Sequence, residues 1–146
     1  MNNWIYNNME IIDISQFPKD TFGFIYQIHN TIDDRYYIGK KQLWSKRNKL
    51  LSKKDIKSHR ESHPTGRLPK KKLIITESNW KQYYGSSLEL NEDINFMPLE
   101  SFTRTILDLS FSKRELTYLE AKHLFKNDVL DSCKYYNKNI LNKFYK

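Results

Sequence analysis

The sequence predicts a small α+β fold, and three local patterns carry that prediction. Residues 23–39 hold β-forming side chains on both sides of a polar stretch, which is the pattern of a β-hairpin. Residues 102–109 alternate in the manner of a third strand. Residues 112–127 combine a helix-start signal with helical spacing of apolar residues. At 146 residues the chain suits one domain, which we expect to span 1–146.

The first elements are predicted to be strands. Residues 11–14 suit a short edge strand, and Pro18 ends whatever precedes it. In the hairpin, residues 30–34 have turn chemistry. Tyr37 can lie beside Tyr26 if the register of the hairpin allows it, because side chains alternate between the two faces of a strand.

The middle of the chain is predicted to be helical around one long loop. Residues 42–57 suit a helix with a basic surface, and residues 58–69 contain two prolines and a glycine, which indicates a loop. A second helix is predicted over 76–83, and a short break follows at 85–87. The last helix begins at Ser112, which with Glu115 fits a capping box.

Positive charge is concentrated in one segment. The net charge is +8, and residues 46–72 contain eleven basic residues against Asp55 and Glu61 alone. That segment therefore carries +9 and the rest of the chain −1. This distribution is typical of a protein that binds a polyanion, although a solvated loop of lysines would have the same composition.

Membrane insertion and export are not predicted. The basic segment has no regular apolar face, and no run of 18 apolar residues exists in the sequence. The first residues lack the basic start and apolar stretch of a secretory signal, so we expect a cytoplasmic protein.

Metal sites built on cysteine or histidine have little support. Cys133 is the only cysteine, which excludes an intrachain disulfide and any zinc site with two thiolates. His59 and His63 have the spacing of helical ligands, but Pro64 follows directly and weakens that interpretation.

Tyr26 and Tyr37 are candidate catalytic residues. A phenol is a weak base at its usual pKa of about 10, but a nearby cation can lower that pKa. Such cations lie close in sequence: Lys40, Lys41, Lys46 and Arg47. The same two tyrosines could also be ordinary strand aromatics, since the chain has ten tyrosines.

Glu120 interrupts an apolar stripe on the last helix. Leu116 and Leu124 fall on the same helical face as Glu120. A single carboxylate suits Mg²⁺, which keeps several waters and also binds phosphate. Alternatively, Glu120 lies at the edge of the stripe and pairs with His123 or with a lysine.

Aromatic residues follow the lysines at 70–72. Trp80, Tyr83 and Tyr84 could stack on nucleotide bases, because aromatic rings beside cations suit nucleic acid. A core helix would use the same residues, and we expect Trp80 to be part of the core.

These residues together resemble a known family, the GIY-YIG nucleases. Phe-Ile-Tyr at 24–26 and Tyr-Ile-Gly at 37–39, with their tyrosines eleven residues apart, resemble its signature. Arg47, Glu120 and Asn137 follow in the family's order. The resemblance spans residues 22–140. Phe24 replaces the first glycine of the signature, and a basic insertion occupies about 48–90.

The resemblance implies a fold and a reaction. The fold would be a small three-stranded, mostly antiparallel sheet flanked by helices, with Arg47 on the first helix and a basic helical or loop insertion. In the implied hydrolysis of a phosphodiester, Tyr26 or Tyr37 takes a proton from water and Arg47 stabilises the phosphoryl oxygens. Glu120 would hold Mg²⁺, with Mn²⁺ as an alternative, and Asn137 would orient groups by hydrogen bonding.

The resemblance also implies the partner. We expect DNA, in duplex form, and a homodimer is one route to double-strand cleavage. The expected nucleic-acid contacts are Lys40, Lys41, Lys46, Lys53, Lys54, Lys70, Lys71 and Lys72. Two alternatives stay open, a non-catalytic nucleic-acid-binding module and an RNA nuclease. The hairpin is similar to those of freestanding or homing-type nucleases of bacteriophages, which would place the protein in the host cytoplasm.

Overall fold

A computed structural model describes residues 2–146, which divide into two compact units. We call residues 2–43 and 79–146 the main unit, and residues 44–78 the basic unit. The basic unit contains eleven basic residues and three acidic residues, Asp55, Glu61 and Glu77, so its charge is +8 (11 − 3). The main unit is therefore neutral overall.

The strands and helices of residues 2–146 follow in chain order: β1 (Trp4–Tyr6), β2 (Met9–Ile11), β3 (Gly23–Asn30), β4 (Arg35–Gln42), β5 (Trp44–Leu50), α1 (Lys53–Ser62), β6 (Lys71–Glu77), α2 (Leu88–Phe96), β7 (Phe102–Ser110), α3 (Lys113–Lys126), β8 (Asn139–Ile140) and β9 (Phe144–Tyr145). None of the helices in residues 2–146 is long and apolar enough to cross a membrane.

The main unit is an α+β fold built on a five-stranded mixed sheet. The strand order is β2-β1-β7-β3-β4, in which β1 and β7 run parallel and the other neighbours antiparallel. The predicted hairpin and third strand form its β7-β3-β4 part. The predicted three-stranded sheet is too small, because β1 and β2 add at the edge of β7. These strands have three residues each, which is too short to show periodicity in a sequence.

Both faces of this sheet carry a core. Tyr26 of β3 packs on one face in a cluster that includes Trp4 and Trp80, both fully buried, so the core role predicted for Trp80 is confirmed. Ile25 and Ile38 pack on the other face against α3. The sheet therefore separates the environment of the hairpin tyrosines from that of α3 everywhere except at its edges.

The last helix was predicted well. The Ser112 hydroxyl accepts a hydrogen bond from Glu115 N at 3.1 Å, as a cap should. The Glu115 carboxylate accepts from Phe111 N at 3.3 Å rather than from the capping residue. Leu116 and Leu124 are buried, which confirms the apolar stripe.

The middle of the chain was predicted wrongly. Residues 44–50 form β5, paired with β6 in an antiparallel ribbon, where we expected a helix over 42–57. The α1 helix occupies part of the predicted 58–69 loop. A helix was predicted over 76–83, but these residues contain the end of β6 and a short 3-10 helix. The α2 helix was not predicted. The prediction failed because lysine and arginine favour helices locally. The strand that pairs with β5 lies more than twenty residues away, so its influence does not show in the local sequence.

Candidate active site

The two hairpin tyrosines lie side by side on one face of the sheet. Tyr26 is opposite Gly39 and Tyr37 is opposite Ile28, so the tyrosines are diagonal neighbours on adjacent strands. Their ring centroids are 6.1 Å apart. The register thus brings the rings together without pairing the two residues directly.

Two glycines make room for these rings. A Cβ at Gly39 would lie 2.5 Å from Tyr26 Oη, and one at Gly85 would lie 2.9 Å from Tyr37 Cε1. Gly85 also has φ +92°, which side chains other than glycine rarely adopt. The Tyr-Ile-Gly spacing therefore has a steric basis, because the glycine of β4 is the surface against which the Tyr26 ring packs.

The tyrosine hydroxyls have different surroundings. Tyr26 is 1% exposed, and its hydroxyl forms a hydrogen bond with Tyr83. Burial raises the pKa of Tyr26 well above the usual value, and Tyr37 and Tyr83 raise it further by smaller amounts. Tyr37 Oη lies 3.2 Å from Ser86 Oγ, and burial also raises the pKa of Tyr37. The expectation that nearby cations lower these pKa values is wrong for both tyrosines, because burial dominates.

Glu120 is a mostly buried carboxylate on α3, close enough to the two tyrosines to raise the pKa of each. Its side chain is 17% exposed, and burial raises its pKa, opposed by Lys40. Lys40 Nζ is 3.7 Å from Glu120 Oε2 and donates to Thr117 Oγ1 at 3.2 Å. Of the alternatives for Glu120, the pairing with a lysine is therefore observed, whereas His123 Nε2 lies 3.0 Å from Asp108 Oδ2.

Asn137 fixes the edge strand that carries Tyr37. Ile38 N donates to Asn137 Oδ1 at 3.0 Å, and Asn137 Nδ2 donates to Ile38 O at 2.8 Å. Tyr36 is held in the same way by the backbone just before Asn137, since its N–H donates to Lys134 O and its C=O accepts from Tyr136 N. The side chain of Asn137 thus takes the place of a neighbouring strand, and it orients Tyr37 through the backbone.

A pocket of about 410 Å³ opens at the β4 edge of the sheet. Tyr37 reaches it from one face of the sheet and Glu120 from the other, and Ser86 and Asn137 also line it. Tyr26 lies behind Tyr37 and is buried. The pocket therefore presents the phenol of Tyr37 and the carboxylate of Glu120 to whatever enters it, and the ammonium group of Lys40 lies 3.7 Å from that carboxylate.

The residues around this pocket fit a magnesium ion. Within residues 2–146 no group of three histidine, cysteine, aspartate or glutamate side chains comes together. Two carboxylates line the pocket, Glu89 and Glu120, and Glu89 is bound to Arg35 at 2.8 Å, so Glu120 is the one that fits such an ion. Mg²⁺ prefers oxygen ligands and usually keeps several waters, with one or two carboxylates and substrate phosphates completing its shell. One largely buried carboxylate in a polar pocket with room for several waters meets that requirement.

Arg47 belongs to the basic unit, whereas the residues of this cluster belong to the main unit. It is an exposed residue of β5 opposite Ile74, so its predicted position on a helix is wrong. Tyr26, Tyr37, Glu120 and Asn137 are the predicted site residues that the main unit brings together.

The predicted nucleic-acid lysines fall into both units. In the main unit, Lys40 pairs with Glu120, and Lys41 Nζ lies 4.0 Å from the Tyr83 ring centroid and donates to Asn79. In the basic unit, Lys72 pairs with Asp55 at 2.9 Å. The remaining lysines are exposed: Lys46, Lys53, Lys54, Lys70 and Lys71.

Sequence reasoning missed Gly85 and Ser86 as residues of the site, and it considered Tyr83 only for base stacking or for the core. Tyr83 bonds Tyr26, Ser86 bonds Tyr37, and Gly85 accommodates the Tyr37 ring. The Gly-Ser-Ser stretch at 85–87 was interpreted only as a break between elements. A glycine followed by two hydroxyl residues before a helix was the available signal, because that pattern suits a turn and a helix cap.

The hairpin signature is now visible as a packed pair of tyrosines beside a buried glutamate, and this fold and site define a domain of the GIY-YIG class. Residues 4–140 match the family model described as "Putative endonuclease segE, GIY-YIG domain". The chain belongs to this family, which confirms the resemblance seen in the sequence and makes a nucleic acid the substrate. No curated protein and no solved structure matches the chain significantly.

Proposed function

We propose that this protein is a Mg²⁺-dependent endonuclease that hydrolyses phosphodiester bonds in duplex DNA. The observation that carries the proposal is the convergence of Tyr37 and Glu120 on one pocket from opposite faces of the sheet. A phosphodiester is an anion that needs a proton acceptor for the attacking water and positive charge for its oxygens. The pocket offers both kinds of group.

Tyr37 is our choice for the base that accepts the proton of the attacking water. It lines the pocket, whereas Tyr26 is buried behind it. The raised pKa of Tyr37 keeps it a neutral phenol at neutral pH, so its phenolate is scarce but strongly basic. Tyr26, bonded to Tyr83, serves to position the ring of Tyr37.

Glu120 is the proposed ligand of the ion. A bound Mg²⁺ would supply Lewis-acid polarisation of the phosphate and stabilise the leaving oxygen. Lys40 balances the charge of Glu120, since its Nζ lies 3.7 Å from Glu120 Oε2. Arg47 and the exposed lysines of the basic unit are proposed as ligands of DNA phosphates, because the unit carries the whole net charge of the chain.

Nicking of supercoiled plasmid DNA tests this proposal. We expect Mg²⁺-dependent nicking by the wild-type chain, with losses of about 10²-fold or more in Glu120→Gln and Tyr37→Phe. Matched controls are Glu92→Gln, an exposed carboxylate on α2, and Tyr118→Phe, an exposed tyrosine on α3. These should cut like the wild type.

Three outcomes would contradict the proposal. Tight DNA binding without cutting on any DNA substrate would identify a non-catalytic binding module. Cleavage of single-stranded RNA but not of duplex DNA would identify an RNA nuclease. Equal losses in the control variants would show that the effects are not specific to the pocket. The ratio of nicked to linear product reports whether one strand or both are cut.

A further inference from the structure

The ribbon formed by β5 and β6 has one face that the fold leaves exposed. In an antiparallel pair, residues opposite each other have their side chains on the same face. Lys46 is opposite Ile75, Asn48 is opposite Leu73, and Leu50 is opposite Lys71. These six residues lie on one face of the ribbon, and Trp44 opposite Glu77 continues that face at its end. We call the six residues the Asn48 face. Leu50, Leu73 and Ile75 are 69%, 57% and 54% exposed, which is unusual for three neighbouring aliphatic side chains on one face of a ribbon.

The opposite face of the ribbon is partly occupied by the unit itself. Lys72 and Ile74 belong to it and are half-buried. Lys72 Nζ lies 2.9 Å from Asp55 Oδ1 on α1, whose start is capped by Ser52. On the opposite face the β5 residues are exposed and only Lys72 and Ile74 of β6 are half-buried, whereas on the Asn48 face the residues of both strands are exposed.

The charge of the basic unit indicates which partner this is. A surface with three exposed aliphatic side chains could bind a protein, but this one lies in a unit of charge +8. Lys46 and Lys71 stand at opposite corners of the face, on different strands. A nucleic acid matches that charge, and duplex DNA has a major groove that admits a two-stranded β-ribbon.

The side chains of the Asn48 face match the chemistry of base edges. Asparagine can bond N6 and N7 of adenine in the major groove, lysine can bond O6 and N7 of guanine, and apolar side chains contact the methyl group of thymine. Asn48 is central, with lysines and aliphatic residues around it. Strands rise about 3.3 Å per residue, so the five residues from Lys46 to Leu50 match about four base pairs at about 3.4 Å each.

We propose that the Asn48 face enters the major groove of duplex DNA and reads about four base pairs. This inference rests on the proposed function only in taking duplex DNA as the ligand. The remaining cations of the unit, such as Lys53 and Lys54 on α1, then contact phosphates and add affinity without sequence preference. Sequence preference would arise from a ribbon of the insertion, independently of the catalytic pocket.

Selection from a random duplex pool tests the inference. The full chain is used as Glu120→Gln, so that binding is measured without cleavage. We expect a preferred site that contains A·T pairs, and interference with binding when guanine N7 in the major groove is methylated. In the same background, Asn48→Ala should lose about 10-fold of preference at one base pair, with the salt dependence of binding unchanged.

Matched variants separate base reading from charge. Lys54→Ala should weaken binding to all sequences and reduce the salt slope, with the preferred site unchanged. Thr76→Ala, on the opposite face of the ribbon, should leave the preference unaltered. An unchanged preference in both Asn48→Ala and Leu73→Ala would overturn the inference, and so would interference confined to adenine N3 in the minor groove.

Two further results bear on the occupant and on the enzyme. If the chain self-associates and Leu73→Ser abolishes that association while DNA preference is unchanged, a second copy covers the face and the inference is wrong. Plasmid nicking by the wild-type chain is a separate measurement. Selective binding without nicking would support this inference and reject the proposed function. Nicking without a sequence preference that depends on Asn48 would support the proposed function and reject this inference.

Discussion

The carboxamide of Asn137 pairs with both backbone polar groups of Ile38, at 3.0 and 2.8 Å. Ile38 lies between Tyr37 and Gly39, which are the two residues of β4 that frame the tyrosine pair. A residue near the end of the chain therefore closes the edge of the sheet at the site. If the proposed function is correct, Asn137 acts as a positioning residue for Tyr37 through the backbone of Ile38.

Replacing Asn137 should destabilise the fold and slow the reaction together. Asn137→Ala leaves the buried polar groups of Ile38 without partners, which costs about 1–3 kcal/mol. Asn137→Asp can accept from Ile38 N but cannot donate to Ile38 O, so we expect an intermediate loss. Thermal unfolding and plasmid nicking below the melting temperature measure the two effects. Full stability with lost activity would contradict this role and place Asn137 at the substrate.

Gly85 and Gly66 form a matched pair of glycines. Both have positive φ, +92° and +103°, but a Cβ at Gly85 would lie 2.9 Å from Tyr37 Cε1 and one at Gly66 would meet nothing within 4 Å. Alanine at either position pays a similar backbone cost, about 1–2 kcal/mol. We expect Gly85→Ala alone to displace the Tyr37 ring and to reduce nicking by about 10-fold or more.

The comparison of these two variants is made at equal fraction folded. Urea unfolding gives the stability of each, and the initial rate of nicking gives its activity. If Gly66→Ala lost as much activity as Gly85→Ala, the effect would come from backbone strain and not from the tyrosine ring.

The main unit was largely predictable from the sequence because its signals are local. The hairpin turn, the Ser112 cap and the stripe around Glu120 each lie within a few residues. Glu120 was recognised because a carboxylate among leucines departs from the pattern of its helix. The place of the short strands β1 and β2 in the sheet was not predicted, because β1 joins the sheet through β7, about a hundred residues away, and β2 joins it only through β1.

The basic unit could not be predicted in the same way. Its ribbon depends on the pairing of Trp44 with Glu77 and of Leu50 with Lys71, and the strands carry many lysines, which favour helices in local terms. The elevated pKa values of the tyrosines were also beyond sequence reasoning. Proximity in sequence indicated cations, but the three-dimensional burial of Tyr26 and Tyr37 has the larger effect.

The rate of cleavage should rise with pH if Tyr37 is the base. Burial raises the pKa of Tyr37, so the phenolate fraction increases about tenfold for each pH unit between about pH 7 and 9. We expect the logarithm of kcat/KM to follow with a slope near one in the wild type and to be flat in Tyr37→Phe. An equal slope in both would assign the proton transfer to another group.

Ser86 provides a graded test of the same role. Its hydrogen bond to Tyr37 lowers the pKa of that tyrosine, against the larger effect of burial. Ser86→Ala should therefore raise the pKa further and reduce the rate at a fixed pH by about 2- to 10-fold, with the slope against pH retained. A changed slope, or an unchanged rate, would argue against a hydrogen bond that assists the base.

Glu120 should lower the stability of the fold at neutral pH. Burial raises its pKa, so the folded chain binds this proton more tightly than the unfolded chain does. The resulting stabilisation is complete below the unfolded pKa, about 4.3, and is lost as pH rises through the higher folded value. We therefore expect Glu120→Gln to raise the melting temperature at pH 7–8, with the difference from wild type shrinking toward pH 4.

The Glu120→Gln variant is also expected to lose activity and to lose its response to Mg²⁺. The variant that gains stability should lose about 10²-fold or more in nicking, and Mg²⁺ should raise the melting temperature of the wild type but not of Glu120→Gln. A buried carboxylate that costs stability yet is required for cleavage is retained for its chemistry. If Glu120→Gln instead melted at a lower temperature at pH 7–8, the pairing with Lys40 would outweigh burial, and Glu120 would be a structural residue of α3.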